Sequence, residues 1–295
     1  MPLLTALVLL VAALCMWIPD YVRTPGLWSA VLTTHLLAAL NGILLCMVLY
    51  RAKATAHFSL LPAVLYVAAT GILPLLRVHW QPQTVAAILL FFLYATRDMT
   101  DSHEPNDLVF FVTVMLCAAA LFMPDALWCI GFLWVVELLQ GSFTLRTVCA
   151  SVLGATLVII YYVLAMYIGR AEPWDYSQLF ARQWFGFELP MSETLAIGVM
   201  MAGFLTVAGG AFRRSSHDLV STRMLLYHVV LLGLLSALLI MWTTAQPYSQ
   251  VLLTLALSAT AGIYLLQKES ESRGITLIVY LIGAAALYLW LILTL

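Results

Sequence analysis

Charged side chains are scarce in this chain. Only 9% of its 295 residues are Asp, Glu, Lys or Arg, whereas 64% are hydrophobic. A soluble domain carries about 25% charged residues, so this composition excludes both a water-exposed globular fold and a disordered chain. The formal net charge of −1 offers no basic surface to a phosphate backbone, and a nucleic-acid partner is therefore excluded.

The common cysteine and catalytic motifs are absent from the sequence. No CxxC pair is present. We therefore interpret the cysteines as small, buried hydrophobic side chains rather than as a disulfide framework or a zinc site, and assign no metal ligand among them. The chain lacks a P-loop, an HExxH helix and a GxSxG elbow, which argues against ATP hydrolysis, zinc proteolysis and serine hydrolase chemistry. The five cysteines all lie in apolar runs: Cys15, Cys46, Cys117, Cys129 and Cys149.

Long apolar runs, by contrast, are abundant. Lipid offers no hydrogen-bond partner to an unpaired backbone group, so each run is predicted to be a helix. None of the runs alternates between apolar and polar residues, as the strands of a transmembrane barrel do. The predicted fold is all-α: a polytopic transmembrane bundle of nine to eleven helices, forming a single integral membrane domain over 1–295. The eleven candidate runs are 3–18, 27–50, 58–76, 83–96, 107–123, 125–140, 147–168, 193–212, 224–243, 248–266 and 275–294.

Two of the shorter runs are separated only by Pro124 and Asp125. Proline stops the first helix and aspartate is a good cap for the next, so residues 107–140 predict a tight helical hairpin. Whether the hairpin crosses the membrane or dips in halfway stays open, because runs this short are often re-entrant.

The distribution of Lys and Arg predicts the orientation. With a cytoplasmic N-terminus, alternating loops place nine of these residues inside and four outside, as the positive-inside rule requires. The N-terminus is therefore predicted inside and the C-terminus outside. The inner set is Arg51, Lys53, Arg97, Arg146, Arg213, Arg214, Arg223, Lys268 and Arg273, and the outer set is Arg23, Arg77, Arg170 and Arg182.

Among the polar side chains within the apolar runs, four stand out as candidates: His35, Asn41, Glu137 and His228. Such groups are costly in lipid and are functional candidates for that reason. The alternative is structural: the two histidines and Asn41 would form hydrogen bonds between helices. Glu137 would then reach the membrane surface or pair with Arg146.

The longest polar segment, residues 169–192, mixes aromatic and charged side chains. Bulky residues including Trp174 and Trp184 recur at roughly helical spacing, which predicts an amphipathic helix lying on the outer membrane surface. Arg170 and Arg182 are predicted to bind a lipid phosphate, because guanidinium groups pair with phosphate oxygens in a planar, bidentate way. The alternative is an aromatic belt that only anchors the protein.

Asp20 follows the first run directly, and Arg23 and Arg77 share its predicted outer side. An outward carboxylate just after the first span, together with outward arginines, resembles the multi-spanning glycosyltransferases of the GT-C class. That resemblance implies transfer of a sugar from a polyprenyl-phosphate carrier, with Asp20 as the catalytic base or metal ligand and the arginines holding the phosphate. The first outer loop departs from that class because it is much shorter.

A second resemblance covers more of the chain. Residues 93–97, residues 106–111, the turn at Pro124 and residues 141–146 are similar to an uncharacterised family of bacterial polytopic inner-membrane proteins of about this length. The family implies no activity. It does imply a multi-pass protein of the bacterial inner membrane.

The predicted cytoplasmic loop after Arg97 is acidic. Its carboxylates and histidine could coordinate a divalent cation through oxygen ligands, although their spacing is not that of an EF-hand and a plain solvated loop explains them too. No other cofactor is predicted. The residues are Asp98, Asp101, His103, Glu104 and Asp107.

Three functional interpretations stay open. The first is an enzyme of envelope glycan or lipid-linked sugar assembly, in which a carboxylate base works with arginines that stabilise the leaving phosphate. The second is a non-enzymatic subunit of an envelope complex, and the third is a transporter of a small solute or lipid. The expected partners are membrane lipids, a polyprenyl-phosphate carrier and other envelope proteins.

Overall fold

A computed structural model describes residues 28–55, 58–73, 76, 79–99, 106–121, 124–141, 143–169, 191–214, 220–240 and 246–266. Over these ranges the chain forms nine α-helices and one 3-10 turn, without strands. The helices are α1 (Trp28–Arg51), α2 (Leu61–Ile72), α3 (Gln81–Met99), α4 (Asn106–Ala120), α5 (Trp128–Gln140), α6 (Leu145–Tyr167), α7 (Met191–Arg214), α8 (Val220–Ile240) and α9 (Gln246–Leu266).

Five of the described helices, α1 and α6 to α9, are long and apolar enough to cross a membrane. A span needs about 20 residues. Over the described residues, the prediction of an all-helical, multi-pass membrane protein is therefore confirmed, and the runs 3–18 and 275–294 lie outside them. Helix α6 exposes Leu153, Ile160 and Leu164 by more than half, as expected of a surface in contact with lipid.

Helix α9 is the centre of the bundle. All of its residues from 248 to 263 are buried, and it packs against α2, α7 and α8. Helices α7 and α9 are parallel, because Gly203 approaches Leu257 and Gly210 approaches Tyr264 seven residues later on both helices. A Cβ atom on Gly210 would lie 2.7 Å from Cε2 of Tyr264, so glycine permits this close approach.

Helices α1 and α3 are also parallel. Asn41 near the middle of α1 bonds to Gln83 at the beginning of α3, and the Arg51 guanidinium lies 4.3 Å from the ring centroid of Tyr94. Helix α2 runs in the opposite direction, and all twelve of its residues are buried. It packs closely on α1, since a Cβ atom on Gly42 would lie 3.0 Å from Cα of Ala63.

One end of the bundle, here called the Arg51 end, gathers the termini of several helices. The Thr222 hydroxyl at the beginning of α8 donates to the Ala52 carbonyl after α1, at 3.3 Å. Gly262 near the end of α9 packs against Leu49 and Pro62. The beginnings of α5 and α9 meet at the opposite end, where the Cys129 thiol contacts the Tyr248 hydroxyl.

These helix directions place basic residues on one side. Helices α1, α3, α5 and α7 end at the Arg51 end, and α6 and α8 begin there. Every Lys and Arg within the described ranges therefore lies at or near that end. They are Arg51, Lys53, Arg97, Arg146, Arg213, Arg214 and Arg223.

Two local expectations need correction. The run 58–76 does not form one continuous helix, because α2 ends at Ile72 and Leu73 is extended (φ −94°, ψ 110°). The second helix of the 107–140 segment does not begin at Asp125. The N-cap of α5 is Leu127, which makes no side-chain cap bond and is already helical (φ −60°, ψ −30°), because a 3-10 turn over Pro124–Leu127 leads directly into α5.

Candidate functional site: a buried amide cluster

The outward-facing residues predicted to act on a lipid-linked sugar all lie outside the described residues. Their roles stay predictions, and so does the surface helix predicted between 169 and 192. They are Asp20, Arg23, Arg77, Arg170, Trp174, Arg182 and Trp184.

The four polar residues predicted within the spans lie on three helices. Asn41 and Glu137 are fully buried, His228 is 3% exposed, and His35 is half-buried. The Glu137 side chain thus lies inside the bundle, whereas Arg146 is exposed. Of the four, Asn41 has hydrogen bonds that define a site.

Asn41 belongs to a three-residue hydrogen-bonded group, here called the amide cluster, together with Tyr66 and Gln83. The Asn41 Nδ2 amide donates to the backbone carbonyl of Gln83 at 2.8 Å and to its side-chain Oε1 at 3.1 Å. The Tyr66 hydroxyl donates to the same Oε1 atom at 2.7 Å. All three residues are fully buried, so the cluster links α1, α2 and α3 within the apolar part of the bundle.

Two atoms of the amide cluster have no hydrogen-bond partner within the described part of the chain. They are the acceptor Asn41 Oδ1 and the donor Gln83 Nε2. A buried polar group without a partner costs about 1–3 kcal/mol, and lipid cannot supply the missing bond. The cluster therefore offers one free acceptor and one free donor to a polar molecule that reaches it.

Local sequence explains how the cluster is positioned. Gly42 lets α1 and α2 approach closely, which brings the neighbouring residue Asn41 close to α2. Gln83 follows Pro82 in the first turn of α3, and proline is readily accommodated there. The end of α2 at Ile72 and the extended Leu73 are both buried. Interrupted helices of this kind are tolerated in membranes where the backbone is enclosed by protein.

Tyr66 and Gln83 are not among the residues predicted from the sequence. Tyr66 lies in an uninterrupted apolar run, and Gln83 is the first residue of the run 83–96, where it looks like the edge of a span. The one available signal is a glutamine directly after proline at the beginning of an unusually short run. In transporters, short or proline-interrupted hydrophobic segments often contribute to the binding site.

A concave feature apart from the amide cluster lies between the beginning of α3 and the end of α4. It is a groove of about 300 Å³ with almost entirely apolar walls, lined among others by Trp80, Val85, Ile88, Met115 and Ala118. Trp80 and Met115 are partly exposed at this groove. Its character suits a hydrocarbon chain, and it presents no group for catalysis.

The described ranges contain no candidate metal site, since no three His, Cys, Asp or Glu side chains come together there. Most of the acidic loop with its predicted cation site lies outside them: Asp101, His103 and Glu104 are not described, and neither is the side chain of Asp98. Comparison of the chain with protein-family models, curated proteins and solved structures gives no match.

Proposed function

We propose that this protein transports a small, uncharged, hydrogen-bonding solute through the core of its helix bundle. The observation that carries the proposal is the pair of unpartnered atoms in the amide cluster, Asn41 Oδ1 and Gln83 Nε2. An amide, a urea or a polyol can donate to the first and accept from the second. The cluster contains no charged side chain, which favours an uncharged solute over an ion.

The backbone around the cluster supports this proposal. Helix α2 has only twelve residues, about 18 Å at 1.5 Å per residue, and α3 begins beside the cluster. Transporters commonly place their substrate near the membrane midplane beside interrupted helices. Asn41 is the fourteenth of the 24 residues in α1, so the cluster lies near the middle of a full span.

We further propose that the Arg51 end faces the cytoplasm of a bacterial inner membrane. All seven Lys and Arg of the described ranges lie at or near that end, and the positive-inside rule assigns such an end to the cytoplasmic side. This orientation agrees with an inside N-terminus and an outside C-terminus if the runs 3–18 and 275–294 each cross once.

Transport is testable in proteoliposomes. Osmotic swelling in urea, acetamide or glycerol, followed by stopped-flow light scattering, should be faster than in protein-free liposomes for at least one solute. Asn41→Leu and Gln83→Leu should each slow that flux about three- to tenfold, because a hydrogen bond between uncharged groups is worth about 0.5–1.5 kcal/mol. Monodisperse elution of each variant from a gel-filtration column establishes that it has folded.

Thr156→Val is the matched control. Thr156 is a polar helix residue whose hydroxyl donates to Val152 of its own helix at 2.7 Å, on the outer surface of α6. Its replacement should leave the flux unchanged. The transport proposal fails if no solute enters faster than into empty liposomes, or if Asn41→Leu and Thr156→Val give the same flux.

Lipid-linked sugar transfer is the second candidate, and it depends on the outward Asp20 and the arginines Arg170 and Arg182 of the sequence. Native mass spectrometry of the purified protein tests it directly. Retained polyprenyl-phosphate lipid would favour the enzyme. Its absence, together with absence of flux, would favour a structural subunit of an envelope complex.

A further inference from the structure

The central helix α9 carries a row of polar side chains, here called the polar stripe, formed by Gln250, Thr254 and Ser258. The three residues are four positions apart, which places them on one face of a helix. All three are fully buried. Four residues correspond to about 6 Å of helix, so the polar stripe extends over about 12 Å of the bundle core.

Two of the three stripe residues have unpartnered side-chain atoms, whereas the Thr254 hydroxyl donates to the Val251 carbonyl of its own helix at 2.8 Å. Both side-chain amide atoms of Gln250 and the hydroxyl of Ser258 have no partner within the described ranges. By contrast, Thr260 donates to the carbonyl of Ala256 at 2.8 Å. The carbonyl of Ser249 accepts from the Ser236 hydroxyl at 2.7 Å.

The Thr254 and Ser258 part of the polar stripe faces α2. Thr254 and Ser258 share a helical face with Ala261 and Leu265, and these two residues pack in one hydrophobic cluster with Leu61 of α2. Gly262, one turn beyond Ser258, also packs against α2, because a Cβ atom there would lie 2.8 Å from Cγ of Pro62.

The depth of the polar stripe matches that of the amide cluster. Helices α2 and α9 are antiparallel and Gly262 lies beside Pro62, so Ser258 lies at about the depth of Tyr66. Gln250 lies about 12 Å further along α9, beyond the point where α2 ends. Helix α2 thus has unpartnered polar atoms on two sides at similar depth.

We infer that the polar stripe lines a passage for water and the transported solute, which is closed in this structure and opens when α2 moves away from α9. The inference rests on the proposed transport function, which gives such a passage its role. In the closed form, three buried polar atoms of the stripe lack partners, each at a cost of about 1–3 kcal/mol. Hydration recovers these bonds on opening, which offsets part of the loss of apolar contacts between the two helices.

The passage can be tested by thiol accessibility in a variant whose five native cysteines are replaced by alanine. Single cysteines are introduced by Thr254→Cys and Ser258→Cys, which are small changes, and by Ala256→Cys as the control. Ala256 is equally buried at a depth between the other two, but it lies on the opposite face of α9. A charged methanethiosulfonate reagent is then applied to the protein in liposomes.

We expect the two stripe cysteines to react at least about tenfold faster than the Ala256→Cys variant, because the reactive thiolate forms where water is present and is disfavoured in apolar surroundings. Equal rates at the two faces, or no reaction at any of the three positions, would overturn the inference. Gel filtration and complete labelling in detergent with heat show that each variant is folded and that its thiol is intact.

The flux assay separates this inference from the proposed function. Flux that depends on Asn41, without reaction at the stripe, would keep transport and refute the passage along α9. Fast reaction at Thr254→Cys and Ser258→Cys without flux of any solute would keep the hydrated passage and refute transport of the solutes used.

Discussion

The sharpest stability test of the amide cluster is a double-mutant cycle between Tyr66 and Gln83. The Tyr66 hydroxyl donates to Gln83 Oε1 at 2.7 Å, and Oε1 also accepts from Asn41 at 3.1 Å. Tyr66→Phe removes one of these bonds and leaves Oε1 with a partner. Interhelical hydrogen bonds in membrane proteins are worth about 0.6 kcal/mol on average and about 1.7 kcal/mol at most, so the free energy of unfolding should fall by roughly that range.

In a Gln83→Leu background the same change should have a different effect. Leucine offers no acceptor, so the buried Tyr66 hydroxyl loses its partner, at a cost of about 1–3 kcal/mol. Tyr66→Phe then removes this unpaired hydroxyl and should be neutral or stabilising. The coupling free energy of the pair should therefore be at least about 1 kcal/mol, within the range of side chains in contact.

Gln83→Leu alone is a weaker test, since it breaks two bonds to Oε1 but also removes the unpartnered Nε2 atom. Reversible unfolding of the four proteins by steric trapping in bicelles provides the required free energies. Tyr161→Phe is the control, because Tyr161 lies on α6 and is 65% exposed; its effect should be the same with Gln83 or Leu at position 83. A coupling energy of Tyr66 and Gln83 that equals this control would refute the reasoning.

Three further predictions concern packing, orientation and lipid binding. Gly154→Ala should lower the free energy of unfolding by about 1–3 kcal/mol, because a Cβ atom there would lie 2.9 Å from a backbone oxygen of α4, whereas Gly198→Ala, with open space around it, should not; equal losses would contradict this. A cysteine introduced by Lys53→Cys should react with an impermeant thiol reagent in inside-out vesicles, and reaction only in right-side-out vesicles would reverse the proposed orientation. Replacing both Arg170 and Arg182 by Gln should weaken retention of anionic lipid, measured by native mass spectrometry, by at least roughly tenfold; unchanged retention would remove the predicted phosphate site.

The extent of the long helices follows closely from the sequence. The run 27–50 corresponds to α1 (Trp28–Arg51), and the run 147–168 to α6 (Leu145–Tyr167). The length of each helix follows from the length of its apolar run, which must match the thickness of the hydrocarbon core and can be determined from that segment of sequence alone. The boundary predicted from the run 58–76 is wrong, although the sequence does mark the end of α2. Pro74 directly follows Leu73, and a residue before proline is disfavoured in an α-helix and favours the extended conformation that Leu73 adopts.

The amide cluster was predictable only in part. Asn41 is conspicuous because it lies in a strongly apolar run, so its position alone marks it. Its partner Gln83 is 42 residues away, and hydrogen bonds over that separation depend on how the helices pack. The four-residue spacing of Gln250, Thr254 and Ser258 is visible in the sequence. Such a spacing is also typical of an ordinary exposed polar face, and only the structure shows that α9 is buried on all sides.

The short, enclosed helix α2 has a consequence for how the protein is made. Its twelve residues are too few to cross the roughly 30 Å of hydrocarbon as an independent span, and the extended backbone at Leu73 is tolerated only inside protein. One wall of that enclosure is α9, whose Gly262 is synthesised 200 residues after Pro62. The α2 segment therefore cannot reach its final structure while the ribosome is still translating the middle of the chain. Its completion must be among the last steps of membrane insertion.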